Sequence, residues 1–157
     1  MVIEPKPPVT VYLSYAQKDE ALKQEFEDYL VILQQTQLIA GWVERQVQQG
    51  TDWSQIIDPR LLVADLVLLL VSSSLLASGY CSGAEFREAF ERNKTPRKAV
   101  LVPILLHRVK LTGHPLETIA CVPRRQPVSS WPERHEAWWS VDQEIREVIT
   151  HDLRPIW

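Results

Sequence analysis

The sequence predicts an α/β fold: a flavodoxin-like sheet of five parallel strands in the order 2-1-3-4-5, with helices on both faces. One observation is the unbroken apolar run at residues 66–71, which has strand length and no polar residue on either face. Such a run is typical of a strand buried inside a parallel sheet. The other observation is that strand-length apolar runs alternate with stretches of helical periodicity, which favours right-handed crossovers between parallel strands.

Length and composition fit one domain. The chain has 157 residues, 45% of them hydrophobic, and a formal net charge of −3. This charge gives no reason to expect nucleic acid or an anionic membrane as a partner. No apolar run could cross a bilayer and the N-terminus lacks an apolar signal core, so we expect a cytoplasmic protein. We assign residues 1–8, which hold three prolines, to an extended lead and residues 9–157 to the domain.

The first half of the chain provides two strands and a helix. Residues 9–13 are β-branched and apolar and predict the first strand, followed by a loop at residues 14–18. A second, short strand is predicted at residues 39–44, followed by a polar loop at residues 45–51 that carries three glutamines and a glycine. The helix between the strands has an apolar stripe formed by Leu22, Phe26, Tyr29 and Leu33.

The middle of the chain should contain two further helices. Asp52 and Gln55 resemble a capping box, so a helix is expected near Trp53, with Pro59 kinking or splitting it. After the third strand at residues 66–71, a second helix is predicted with a stripe formed by Gly79, Gly83, Phe86 and Phe90. Cys81 and Glu85 are four residues apart and should share a face beside that stripe.

The last third is expected to complete the sheet. Residues 99–106 predict the fourth strand, residues 107–123 an irregular segment with a short helix near Leu116, and residues 126–128 a fifth strand. The chain should then finish with a long helix that Pro155 ends. The apolar stripe of this helix is formed by Trp138, Val141, Ile145 and Val148.

The predicted topology indicates where a ligand would bind. In the order 2-1-3-4-5 the switch point lies between strands 1 and 3, and ligands bind beyond the carboxyl ends of these strands. The loops there are residues 14–18 and the serine-rich residues 72–78, with Glu85 above the second loop. Glu85 is therefore the strongest candidate site residue, although most glutamates on a helix flank are simply solvated.

Other chemistries find less support. Cys81 is either a nucleophile or an inert core thiol, and no histidine lies near it in sequence to activate it. Both Cys81 and Cys121 are expected to be free thiols. The four histidines show no metal-ligand spacing, so no metal site is assigned. Phosphate-binding glycine loops are absent from the sequence, and Ser72 stands where a response-regulator receiver needs an aspartate.

Four segments together resemble a Toll/interleukin-1 receptor (TIR) domain, over residues 9 to about 149. They are VTVYLSYAQKDEAL, GWVERQVQQGTDW, DLVLLLVSSSLLASGYCSGAEF and AVLVPILL, and the bacterial defence members are the most similar. The resemblance implies the flavodoxin-like sheet predicted above. Pro59 departs from the family pattern, because a helix-forming residue is more usual at that position.

The resemblance also implies an activity, because many TIR domains cleave NAD⁺ at the nicotinamide–ribose bond. It implies that Glu85, shortly after Cys81, is the catalytic glutamate. NAD⁺ would be the substrate, and no cofactor is expected. The remaining substrate-binding positions implied or suggested are Ser14, Tyr15, Trp42, Arg45, Trp53, Ser72, Ser73 and Cys81.

Two functions remain open on this basis. The first is an NAD⁺ glycohydrolase, activated by oligomerisation, that acts as the effector of a bacterial antiviral defence system. Its product would be ADP-ribose or a cyclic ADP-ribose. The second is a non-catalytic TIR adaptor. In both cases the expected partners are other TIR domains, including in filaments, and a sensor module in the same or a partner chain. The resemblance implies that the loop at residues 45–51 docks a neighbouring domain.

Overall fold

The computed structural model describes residues 7–95 and 99–153. It contains a parallel sheet flanked by helices, which confirms the predicted α/β class. The strands are β1 (Val9–Ala16), β2 (Ile39–Val47), β3 (Leu66–Val71) and β4 (Val100–Leu105). The helices are α1 (Glu20–Gln35), α2 (Ser73–Ala77), α3 (Ala84–Lys94) and α4 (Arg134–Val148).

The strand order is β2-β1-β3-β4, so β1 and β3 form the centre of the sheet. In their parallel register Val11 pairs with Leu66 and Ser14 with Leu69. Every residue of β3 is buried, because helices cover both faces of the sheet at this strand. The unbroken apolar run therefore forms the central strand that the sequence predicts.

Helices pack on the two faces of the sheet in separate hydrophobic clusters. On one face α1 and α4 meet, and the rings of Phe26 and Trp138 stack with their centroids 5.1 Å apart. On the other face lie α2 and α3, with Leu75, Phe86 and Ala89 in the core. The second face, covered by α2 and α3, carries the candidate site.

The predicted fifth strand was wrong, because the sheet has four strands within the described residues. Val128 begins a 3₁₀ turn (Val128–Ser130) instead of forming a strand. The closest approach to a fifth strand is a single parallel bridge between Val122 and Ile104. Pro123 follows this bridge and has no N–H to donate, so the pairing does not continue.

The structure around β2 differs from the prediction in two ways. The strand runs to Val47, so Arg45 lies within the strand and not in a loop. The helix expected near Trp53 is absent, and a 3₁₀ turn (Pro59–Val63) follows an irregular segment at residues 48–58. The Asp52 side chain accepts a hydrogen bond from the backbone of Ser54 two residues on, a local bond that competes with helix formation. We call residues 48–58 the covering loop.

The helix predicted with the stripe Gly79, Gly83, Phe86 and Phe90 begins only at Ala84, and the loop predicted at residues 72–78 contains the short helix α2. A 3₁₀ turn (Tyr80–Ser82) separates α2 from α3, and Gly79 precedes it with a φ of 83°, a conformation that favours glycine. Cys81 lies in that turn and Glu85 in α3, so the prediction that they share one helix face was wrong.

The end of the chain largely follows the prediction. A short 3₁₀ helix (Pro115–Thr118) forms around Leu116 as expected, and the apolar stripe of α4 packs into the core. A π-helical turn (Ile149–Leu153) follows α4. Pro155 and the first six residues of the predicted lead lie outside the described residues. In the described part of the chain, no helix is long and apolar enough to span a bilayer.

Candidate functional site

Glu85 lies in the first turn of α3, and it is buried with 1% of its surface exposed. Its carboxylate accepts five hydrogen bonds. Oε1 accepts from the hydroxyl of Tyr12, from Nη2 of Arg45 and from the backbone N–H of Asp58, each at 2.9 Å. Oε2 accepts from Nε of Arg45 at 3.0 Å and from the hydroxyl of Tyr80 at 2.5 Å. We call these five residues the Glu85 cluster.

The contacts within the Glu85 cluster determine its ionisation. Burial raises the pKa of Glu85, but the hydrogen bonds from Arg45, Tyr80, the Asp58 N–H and Tyr12 outweigh it and hold the pKa below its ordinary value. Burial and the Glu85 charge raise the pKa values of both tyrosines, so these remain neutral donors. The hydrogen bonds to Glu85 raise the pKa of Arg45. The cluster is therefore a carboxylate–guanidinium pair with two phenols.

The covering loop closes one side of the cluster through Trp53. Its ring is 6% exposed, packs edge-on against Tyr80 at 5.2 Å and lies 5.2 Å from the guanidinium of Arg45. The Trp53 carbonyl accepts a hydrogen bond from the N–H of Ala84 at 3.1 Å. A Cβ at Gly83 would overlap that carbonyl oxygen and lie 2.7 Å from the Trp53 Cβ, so this close contact requires glycine. The loop is thus held against the start of α3 from both Trp53 and Asp58.

The predicted serines lie at different distances from the cluster. Ser14 is in contact with it, because its Oγ lies 3.0 Å from the Tyr80 hydroxyl. Ser72 donates a hydrogen bond to Asp19 at 2.5 Å and caps α2 by accepting from the N–H of Leu75. Ser73 is exposed on α2. Only Ser14 of the three serines is thus part of the same hydrogen-bond network as Glu85.

Tyr15 and Trp42 lie on the opposite face of the sheet, because alternate residues of a strand point to opposite faces. There both side chains donate to Glu44, Tyr15 at 3.3 Å and Trp42 at 3.2 Å. The buried Lys23 pairs with Glu44 at 2.9 Å and lies over the Tyr15 ring. The structure therefore does not bring Tyr15 and Trp42 together with Glu85.

Cys81 has the properties of a packed thiol. It is half-buried against the same hydrophobic cluster as Tyr80, and burial raises the pKa of its thiol to about 12. A thiol with this pKa carries almost no thiolate at neutral pH, and the thiolate is the nucleophilic form. Of the two open alternatives for Cys81, the structure favours the inert core thiol.

Sequence reasoning missed three members of the cluster: Tyr12, Tyr80 and Asp58. A usable signal existed for Tyr12, because a tyrosine inside a buried strand needs a partner for its hydroxyl. Asp58 contributes only its backbone N–H, which no side-chain pattern reveals. No group of three His, Cys, Asp or Glu residues in the described ranges could hold a metal ion.

The fold and the site together describe an α/β protein with a parallel sheet and a buried carboxylate beside its central strands. The family model for the TIR domain matches residues 11–139, and the chain belongs to this family. TIR domains include NAD-cleaving enzymes and adaptors, and they generally self-associate.

A curated relative is the uncharacterized protein y4lF of Sinorhizobium fredii. It is 33% identical over 139 residues, which cover 88% of this chain. The matched region spans 43% of the relative's own length. No solved structure gives a significant match to the chain.

Proposed function

We propose that this TIR domain is an NAD⁺ glycohydrolase and that Glu85 is its catalytic carboxylate. The observation that carries the proposal is the position of Glu85, a buried carboxylate beside the central strands whose contacts in this structure hold its pKa below the ordinary value. A fixed negative charge at a low-dielectric site stabilises a positive charge that develops beside it.

The proposed reaction needs no general acid. The bond between the ribose C1′ and the nicotinamide nitrogen breaks, and its electron pair leaves with nicotinamide, which becomes neutral. The ribose is left with oxocarbenium character, which Glu85 stabilises as a carboxylate does in glycoside hydrolysis. Water adds to C1′ and releases a proton to solvent, which gives ADP-ribose. Attack by the adenine ring instead would give a cyclic product.

Arg45 must give up its contact with Glu85 before this chemistry can take place. In the described structure its guanidinium neutralises the carboxylate and occupies both carboxylate oxygens. We propose that Arg45 turns from Glu85 to the pyrophosphate of NAD⁺, an acceptor that suits its planar fork equally well. The freed carboxylate could then accept from the ribose hydroxyls, with Ser14 and Tyr80 beside them.

The covering loop must move with Arg45, because the Asp58 N–H and the Trp53 ring are part of the same packed group. The described conformation is therefore the resting state of the proposed enzyme. We propose that self-association through the covering loop shifts the domain to the open state. This extends the general ability of TIR domains to self-associate into a mechanism for activation.

We place the proposed enzyme in the cytoplasm of a bacterium, as the effector of an antiviral defence system. The relative from Sinorhizobium fredii is more than twice as long as the region that matches, which leaves room for a sensor module in such proteins. Under this proposal a sensor in the same or a partner chain detects infection and clusters the TIR domains, and NAD⁺ is then consumed.

An adaptor without catalytic activity is the second candidate, and the closed Glu85 cluster favours it. Five donors already satisfy the carboxylate, so the role of Glu85 in an adaptor would be to join the chain segments around it.

Nicotinamide release from NAD⁺ separates the two candidates. The purified domain should be assayed alone and fused to an oligomerising partner, beside Glu85→Gln and the control Glu91→Gln. Glu91 lies on the same helix but is 61% exposed. If the clustered wild type releases no nicotinamide, the adaptor is the function that remains.

A further inference from the structure

A surface groove lies between α1 and α4, on the face of the sheet opposite the Glu85 cluster. Its volume is about 380 Å³, and we call it the α1–α4 groove. It is lined by Tyr29, His135, Glu136 and Trp139. The volume is at the lower end of the range for small-ligand sites, roughly 300–1,000 Å³, so the groove can accept one long side chain.

The groove presents two aromatic rings to solvent. Trp138 and Trp139 are adjacent on α4, yet Trp138 is 1% exposed in the core and Trp139 is 58% exposed. Tyr29 is half-buried on α1, and its hydroxyl donates to the carbonyl of His135 at 3.4 Å. Packing of α4 explains the burial of Trp138, whereas the ring of Trp139 lies at the surface.

Negative charge surrounds these rings. Burial raises the pKa of Tyr29, and the charges of Asp142, Asp28 and Glu136 raise it further. Of these three carboxylates, Glu136 lines the groove together with Tyr29. Asp142 is only 6% exposed, and its Oδ1 has no hydrogen-bond partner within the described residues. Asp142 does not line the groove, so it contributes negative charge near the rings and no contact atom.

The nearby arginines are already engaged. Arg146 donates to Oδ2 of Asp142 at 2.8 Å, and Arg134 lies 3.4 Å from Glu25. The acidic side chains Asp28 and Glu136 are exposed, and the imidazole of His135 lies 3.7 Å from Glu136. The groove therefore combines the exposed ring of Trp139 with the exposed carboxylate of Glu136, two features that favour binding of an organic cation.

We propose that the α1–α4 groove binds an arginine side chain from a basic segment of a partner protein. The guanidinium would stack on Trp139, because tryptophan is the best aromatic partner for a cation and arginine stacks better than lysine. Its N–H groups would meet the carboxylates of Glu136 and Asp28. Charge complementarity selects the partner, since further acidic side chains such as Glu133 favour a basic segment over an isolated arginine.

The probe for this proposal is the peptide acetyl-Gly-Arg-Gly-Arg-Gly-amide, titrated into the ¹⁵N-labelled domain. We expect saturable shifts of the Trp139 indole N–H and of the backbone amides of Tyr29 and Glu136. The affinity should fall at least about fivefold in Trp139→Ala and in Glu136→Lys, because each removes one side of the cation site. Val63→Ala, at an exposed apolar position outside the groove, should bind as the wild type does.

Three results would overturn the proposal. A peptide with citrulline in place of arginine that binds equally well would mean that charge is not recognised. The absence of shifts at millimolar peptide would mean that the groove does not bind arginine. A dimer in sedimentation runs that Trp139→Ala disrupts would make a second copy of this chain the occupant. Binding should persist in Glu85→Gln, so the outcome does not depend on the proposed NAD⁺ chemistry.

Discussion

Arg45 and Glu85 form a forked ion pair, with Nε of Arg45 3.0 Å from Oε2 and Nη2 2.9 Å from Oε1. Two parallel charge-assisted hydrogen bonds of this kind fix orientation as well as charge. The pair joins β2 to the first turn of α3, so the residue proposed for catalysis is also a structural cross-link. Substitution at either position should therefore change folding and chemistry together, and the two effects need separate measurements.

Glu85→Gln should lower NAD⁺ cleavage by at least about 10²-fold, because it removes the charge that faces the oxocarbenium. From the sequence alone, this variant is expected to fold with nearly unchanged stability. The structure changes that expectation, since Arg45 loses its buried counter-charge. Arg45 is 22% exposed, so we expect a loss of about 2 kcal/mol, below the usual range for breaking a fully buried pair. Urea denaturation measures this loss in the free energy of unfolding.

A double variant separates the two effects. Arg45→Gln combined with Glu85→Gln removes both charges, so we expect it to recover part of the lost stability without recovering activity. Wild-type cleavage by Glu85→Gln would contradict the catalytic assignment, and unchanged stability would contradict the structural one.

The stability of the domain should fall with pH on the acid side. Glu85 has a folded-state pKa below its unfolded value, so its contribution is fully present above the unfolded value of about 4.3. That contribution is lost as the pH falls through the lower folded pKa. In urea denaturation between pH 6 and pH 3, the drop should be smaller for Glu85→Gln than for the wild type. If the stability of the wild type and of Glu85→Gln fell in parallel with pH, Glu85 would not contribute to the loss of stability in acid.

Gly83→Ala should detach the covering loop from α3. The new Cβ would overlap the Trp53 carbonyl oxygen, and overpacking of this kind costs on the order of 2 kcal/mol. Hydrogen exchange at residues 48–58 should accelerate. Gly79→Ala is the matched control, because its φ of 83° is strained but its Cβ would meet nothing within 4 Å. Equal acceleration in both variants would mean that general destabilisation, not the Trp53 contact, releases the loop.

Cys81→Ala should keep activity while lowering stability by about 1 kcal/mol, as expected for a packed thiol. With a pKa of about 12, the thiol should also react slowly with iodoacetamide at pH 8. Mass spectrometry of the alkylated protein, in a Cys121→Ser background, measures this rate. A covalent ADP-ribosyl adduct on Cys81 would instead make it a nucleophile.

Activity per molecule should rise steeply with protein concentration if self-association opens the site. Gly50 tests the role of the covering loop, because it is exposed in a turn near the start of the loop and a Cβ added there would meet no heavy atom within 4 Å, although its φ of 84° is strained for other residues. Gly50→Arg should abolish self-association and activity together and leave the fold intact. Light scattering and specific activity are the measurements, and a constant specific activity from a monomer would contradict assembly.

The sequence was sufficient for the central strand because its burial depends on a local pattern. The apolar run of β3 has strand length and no polar residue, which favours a buried strand, whereas the catalytic role of Glu85 stays a prediction that the resemblance implies. Tyr12 and Arg45 reach Glu85 from strands distant in sequence, so their contacts with it depend on the tertiary fold. The capping-box pattern at Asp52 failed since tertiary contacts of Trp53 outweigh helix propensity in the covering loop.

The contact between the covering loop and α3 sets the background activity of the proposed enzyme. Opening breaks the Arg45–Glu85 pair and the backbone hydrogen bonds of Asp58 and Ala84, at a combined cost of about 4 kcal/mol. Since about 1.4 kcal/mol corresponds to a tenfold change in population, roughly one isolated molecule in a thousand would be open. A cell could then carry an NAD⁺-consuming protein at low concentration without depleting its NAD⁺, and clustering could raise the rate about a thousandfold without new synthesis.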